Sequence, residues 1–149
     1  MTSQPAVLTE AEVRDLVTTW YKKLDVHAPA PEVAALVADG ELEMRFPEAT
    51  LRNRQEFVEK WYEVVIRRFF DEVHEMRKLD VELAGDKAYV NLVVRWQAKI
   101  WDPPAPKSTY LGFDAAQRWV VTRSPHSGNA AVQTYIVDEL KPLPGSASL

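Results

Sequence analysis

Three carboxylates and one imidazole fall within five residues at Asp71-Glu72-Val73-His74-Glu75. On a strand, Glu72, His74 and Met76 share one face, and Asp71 and Glu75 take the other. One histidine with one converging carboxylate is too small a set for zinc or iron, so no metal site is expected. The imidazole can move protons near neutral pH, which makes His74 the first catalytic candidate. The plainer alternative is a histidine at a sheet edge with one hydrogen bond to a neighbour. Tyr135 is the second candidate, as a hydrogen-bond donor to a substrate oxygen. Trp20, Phe46, Trp61, Trp96, Trp119 and Tyr135 fall on predicted inner faces, and five tryptophans in 149 residues is a large aromatic supply. They either fill a core or line a pocket for a flat, largely apolar ligand. Trp20 and Trp119 read as core, while Phe46, Trp61, Met76 and Trp96 are the substrate-binding candidates. His27 and His126 lie in predicted loops and read as solvent-facing.

The element that must position His74 is a hairpin over Val73–Trp101. Its two runs are rich in β-branched and aromatic residues, and Ala84-Gly85-Asp86-Lys87 joins them as a turn. In the second run Ala88, Val90, Leu92, Val94, Trp96, Ala98 and Ile100 share one parity, so the strand has one apolar face. It spans about fourteen residues, against the usual five or six. A strand this long twists or bends, and the hollow side of a bent sheet needs helices. In the first run His74 and Met76 share one parity, and Leu79, Val81 and Leu83 the other. The phase break at Arg77-Lys78 predicts a β-bulge.

Ahead of the hairpin, Met1–Leu8 reads as a mobile lead-in. Thr9 with Glu12 forms a capping box, and Val13, Leu16, Val17, Trp20, Tyr21 and Leu24 recur at helical spacing. Pro31 opens a second, shorter helix with Val33, Leu36 and Val37 inward and Gly40 as its stop. Leu42, Met44 and Phe46 alternate in a short strand ended by Pro47, and Glu48–Arg54 reads as polar connection. Gln55–Asp71 is a third helix with Phe57, Trp61, Val64, Val65, Arg68 and Phe69 as its inner stripe. The arginines Arg67, Arg68, Arg52 and Arg54, with Lys60, read as solvated. Tyr110–Arg123 and Ala130–Leu140 are two further strands around a Ser124–Asn129 turn, and Lys141 onward reads as a frayed tail. Helices followed by a run of antiparallel strands is an α+β pattern.

Bulk properties bound the partners. At 149 residues the chain is one domain, 1–149, with its core at about 9–140. The net charge of −4 has no basic stretch set against it, which argues against nucleic acid and anionic membrane surfaces. With no cysteine, disulfides, thiolate catalysis and zinc–thiolate sites are excluded. No signal peptide or membrane-spanning run is legible, so the expected location is cytoplasmic. Phosphate loops, nucleophile elbows and nucleotide fingerprints are absent, and no cofactor is expected.

The element order, with Trp20-Tyr21-Lys22-Lys23-Leu24-Asp25, Glu41–Pro47, the stretch Asp71–His74 and Ala84-Gly85-Asp86-Lys87-Ala88, resembles the nuclear transport factor two-like superfamily, in its SnoaL-like branch. The resemblance covers about Thr9–Leu140. It implies a cone-shaped α+β barrel, in which a strongly curved, mostly antiparallel sheet wraps three N-terminal helices and leaves an apolar pocket at the open end. Family members include polyketide cyclases, dehydratases, isomerases, epoxide hydrolases and proteins that only bind, so the pocket must decide the function. His74 matches the pocket histidine of scytalone-dehydratase-like members. The acid expected near Trp20-Tyr21 is missing, as is a second histidine near Gln97–Lys99, and Thr134 or Tyr135 stands where cyclases carry a carboxylate. The resemblance implies a small apolar or aromatic metabolite as partner, with cofactor-free isomerisation, cyclisation or dehydration. The alternative is a non-catalytic binding or dimeric accessory protein. Tyr89, Asn91, Val93, Arg95, Lys99 and Trp101 on the outer face of the long strand fit the homodimer contact common in the family.

Overall fold

The computed structural model describes residues 7–47, 49–124 and 127–148. Helix α1 runs Glu10–Asp25 behind the expected capping box: the Glu12 amide donates to Thr9 Oγ1 at 3.2 Å, and Thr9 N–H donates to Glu12 Oε1 at 3.1 Å. Its apolar stripe of Val13, Leu16, Val17, Trp20, Tyr21 and Leu24 is fully buried. Most of the expected mobile lead-in, 1–6, lies outside the described residues, but Leu8 is not loose. It is buried, and its amide donates to the Gly85 carbonyl at 3.0 Å.

Six strands form one sheet in the order β2-β1-β6-β5-β4-β3. They are β1 (Glu43–Phe46), β2 (Ala49–Leu51), β3 (Phe70–Ala84), β4 (Lys87–Ile100), β5 (Thr109–Arg123) and β6 (Ala130–Pro142). Pairing is antiparallel throughout except between β1 and β6, where Met44 lies parallel to Tyr135. The sheet does not close, and its concave face holds α1 together with Trp119, Val121, Val90 and Leu92 in the main core. This is the α+β cone. Gly85 at φ 68° makes the tight turn between β3 and β4. The break in β3 between Met76 and Lys78 is the expected bulge, and a second lies between Phe70 and Val73.

Four local expectations need correction. Helix α2 is only Ala30–Ala34 and ends before Gly40, because Val37 has already paired with Val132. The segment read as connection carries β2, which pairs with β1 from Met44–Leu51 to Phe46–Ala49. The third helix stops at Arg68 rather than Asp71, and it is not uniformly α. It comprises α3 (Arg54–Glu56), a π-helical turn over Phe57–Tyr62, and α4 (Glu63–Arg68). The wider turn brings Phe57 and Tyr62, five apart, onto the buried side and leaves Trp61 facing the open end of the cone. Finally, the C-terminal tail is anchored on β5. Leu143 N–H donates to the Gly112 carbonyl, Ala147 N–H to the Tyr110 carbonyl, and Gly112 N–H to Ser146 Oγ, all within 3.0 Å.

Candidate active site

The last turn of α1 and the start of β3 meet at a corner where four titratable side chains pair off. Asp25, the final residue of α1, accepts the ring N–H of His74 at Nδ1 (2.6 Å) and the His74 backbone N–H (3.2 Å) with its other oxygen. Two residues further on, His27 Nε2 pairs with Glu72 Oε2, and Glu72 Oε1 accepts the indole N–H of Trp96 at 3.1 Å. The end of α1 with the turn that follows it, and the start of β3, thus each supply one carboxylate and one imidazole. The spacing of two is what a strand needs to aim Glu72 and His74 at the same side. The irregularity between Phe70 and Val73 re-aims the start of β3 and lets Glu72 join that face.

The His74 ring lies between two others. Tyr21 stacks on it at 4.7 Å between centroids, and Trp96 lies at 6.4 Å and 20° on the same register pair. With Nδ1 committed to Asp25, Nε2 is the ring nitrogen available to a ligand. The Asp25 carboxylate fixes that tautomer and would stabilise an imidazolium once formed.

His74 and Glu72 form part of the wall of a cavity of about 390 Å³ at the open end of the cone. The remaining wall is mostly apolar: Leu24, Phe46, Trp61, Val64, Val65, Phe69, Val94, Trp96, Val137 and Leu140. Phe46 and Trp61 stack at 4.4 Å and 18°, forming a flat aromatic plate. Lys60 and Arg68 contribute cationic groups, Lys60 in an ion pair with Glu56 and Arg68 over the Phe69 ring. Deeper in, the buried Gln117 accepts from the Tyr21 hydroxyl (2.9 Å) and the Trp119 indole (3.0 Å). Tyr135 joins this cluster beside Tyr21 and Gln117, and burial pushes its phenol above the usual tyrosine range. It stays a neutral donor at any physiological pH. Burial likewise raises Tyr21 well above that range, and Tyr62 is pushed up to about 12 by burial and the Glu72 and Glu32 carboxylates.

Of the residues singled out from sequence, His74, Tyr135, Phe46, Trp61 and Trp96 all line this cavity. Met76 does not. It lies beyond His74 on β3 and packs against the main core. Trp20 and Trp119 are fully buried in that core. Sequence reasoning missed three residues. Asp25 stands one turn after the position where an acid was sought, within the quoted string ending Leu24-Asp25. Glu72 carried a signal, since it shares strand parity with His74. His27 carried none, because loop position alone says nothing about direction; it is paired rather than solvated, with its side chain 26% exposed. His126 lies outside the described residues. No cluster of three or more metal-ligating side chains occurs among the described residues. Nor is any described helix long and apolar enough to cross a membrane.

No protein-family model matches the sequence, and no curated protein matches it. Solved structures do match in fold. One is the LinA-type3 hexachlorocyclohexane dehydrochlorinase of Novosphingobium barchaimii LL02, at 17% identity and TM-score 0.71, covering 93% of this chain and 92% of that one. An assigned dehydratase of the nuclear transport factor two-like family from Streptomyces avermitilis matches at 15% identity and TM-score 0.70, covering 90% and 95%. A superfamily protein of the same name from Salmonella enterica serovar Typhimurium matches at 12% identity and TM-score 0.69, covering 93% and 91%. At these identities the likeness is one of fold.

Proposed function

We propose that this chain, whose fold is the nuclear transport factor two-like cone, is a cofactor-independent lyase or isomerase in which His74 is the general base. The observation that carries the reading is the Asp25–His74 pair opening onto an apolar cavity. Nε2 removes a proton from a carbon of the substrate, and Asp25 holds the ring in place as it becomes charged. The C–H electron pair then either forms a double bond by expelling a neighbouring group or shifts an existing one. Tyr135, kept neutral by burial, donates to a substrate oxygen on which negative charge develops. The aromatic plate of Phe46 and Trp61 and a volume of about 390 Å³ suit a small, flat, largely apolar substrate. Both the base and the group that orients it are supplied by the chain. The neighbours in fold include a protein described as a dehydratase and a dehydrochlorinase, which supports this class.

The test begins with native mass spectrometry of the purified protein before and after mild organic extraction, to capture a retained small molecule and name its chemistry. On a substrate of that class, His74→Asn lowers kcat/KM by about a hundredfold or more, with the circular dichroism spectrum unchanged. A saturable ligand that wild type never turns over would instead make this a binding protein of the same fold.

A further inference from the structure

The Asp25–His74 pair accounts for one proton, and the cavity wall holds a second acid–base pair that it leaves unused. We infer that Glu72, recharged by His27, is the acid that protonates the leaving group, so that the substrate loses an oxygen, as water, rather than a halide. The inference rests on His74 as the base.

Four observations place Glu72 in that role. Glu72 is part of the cavity wall, yet its side chain is only 3% exposed. Both oxygens are held, one by the Trp96 indole and one by His27, while each retains a lone pair for a proton. His27 is 26% exposed, so the pair runs from the cavity wall towards solvent and can be recharged there. Lastly, the non-glycine residues at positive φ among those described are His27 (51°) and Asp71 (52°), one partner of the pair and the residue preceding the other. Left-handed backbone is a cost to a non-glycine residue and persists where the surroundings impose it. Here it is spent twice on one contact.

The proton count separates leaving groups. His74 Nε2 takes the carbon-bound proton, and that C–H electron pair becomes the new π bond. The neighbouring C–O bond breaks with its pair on oxygen, and the proton held between Glu72 and His27 moves to that oxygen, which departs as water. The site is left with one proton more on His74 and one fewer on the Glu72–His27 pair, and exchange with solvent restores both. Chloride departs as a stable anion and needs no proton, so a dehydrochlorination gives Glu72 nothing to do.

Two flat probes of one ring system differ in this demand, and comparing each variant with wild type on the same probe cancels their different C–H acidities. Base removal of the ring C–H forms a nitrile and breaks the N–O bond, opening benzisoxazole to 2-cyanophenolate and 5-nitrobenzisoxazole to its nitro derivative, a weaker base. In wild type both are opened faster than by free imidazole at equal concentration. Glu72→Gln lowers the rate on benzisoxazole about a hundredfold more than the rate on the nitro compound. His27→Gln, which keeps a donor to Glu72 but carries no transferable proton, shifts the ratio in the same direction and serves if Glu72→Gln misfolds. Equal losses on the two probes would reduce Glu72 to a structural anchor and overturn the inference. A wild-type rate on the nitro compound no higher than that of imidazole would instead overturn His74 as the base.

Discussion

Asp25 has both carboxylate oxygens engaged as acceptors, one by the His74 ring and one by the His74 backbone N–H. An asparagine there has a single acceptor, so one contact becomes donor facing donor. Keeping the backbone contact turns the amide N–H₂ towards Nδ1, which moves the ring proton to Nε2 and blocks the lone pair the substrate needs. Asp25→Asn is therefore expected to lower kcat on 5-nitrobenzisoxazole by about a hundredfold or more while changing KM little. The ¹⁵N spectrum of His74 should show the tautomer exchanged. At this scale the proposed base was legible and its partners were hidden. His74, Trp61 and Trp96 were legible from strand and helix parity. Asp25 was not, because the angle between a helix end and a bulged strand selects which residue of the last turn reaches across. Glu72 and His27 were legible only as a carboxylate on the right parity and a histidine in a loop.

Elements position these groups more firmly than periodicity suggested. The hairpin, its turn at Gly85 and the bulge after Met76 follow directly from alternation and its break. The π-helical turn does not, since one inserted residue leaves the apolar spacing nearly helical while rotating Trp61 relative to Phe57. The short β2 was hidden by a sequence of polar character. The C-terminal tail was misread because its hold on β5 runs through backbone groups and through the absence of a side chain at Gly112. A Cβ at that position would lie 2.3 Å from Tyr110 Oη and 3.1 Å from Leu143 Cδ1. Gly112→Ala must displace the Tyr110 ring, with its hydrogen bond to Gln97, or lift the tail. A destabilisation of about 1–3 kcal/mol is expected in urea titration, and faster amide exchange at Leu143 and Ala147 would mark the tail as the segment that yields.

Across the whole molecule, arginine–carboxylate pairs tie strand to strand and helix to sheet. Hydrogen bonds from Arg123, Arg95 and Arg118 hold the carboxyls of Glu12, Asp114 and Asp138 below their ordinary values of 4.5, 3.8 and 3.8. A lowered folded-state value means that the unfolded chain binds these protons more tightly. The stabilisation is therefore complete above the ordinary carboxylate range and is lost as pH falls through the lowered values. The midpoint of thermal unfolding should stay level from neutrality to about pH 5 and decline below about pH 4. Arg123→Met should make that decline shallower, since Arg123 also grips the Val7 and Gly128 carbonyls and pairs with Glu12 across the α1 N-terminus. The Arg118–Asp138 pair contributes least, because its side chains are the most exposed of the three pairs and so the most screened.

The parallel seam between β1 and β6 has a consequence for how the molecule comes into being. Met44 waits for Tyr135, roughly ninety residues downstream, and Val37 for Val132. On the ribosome, the N-terminal third therefore emerges with no sheet to join, and Phe46 and the aromatic face of the third helix stay uncovered until the last strand arrives. Asp25 and His27 can meet Glu72 and His74 earlier, but the wall contributed by Tyr135, Val137 and Leu140 comes last. The last strand of the sheet must thus be made before there is a chamber for a ligand to enter, and a nascent chain stalled before Ala130 would carry the proposed acid–base residues without a place to use them.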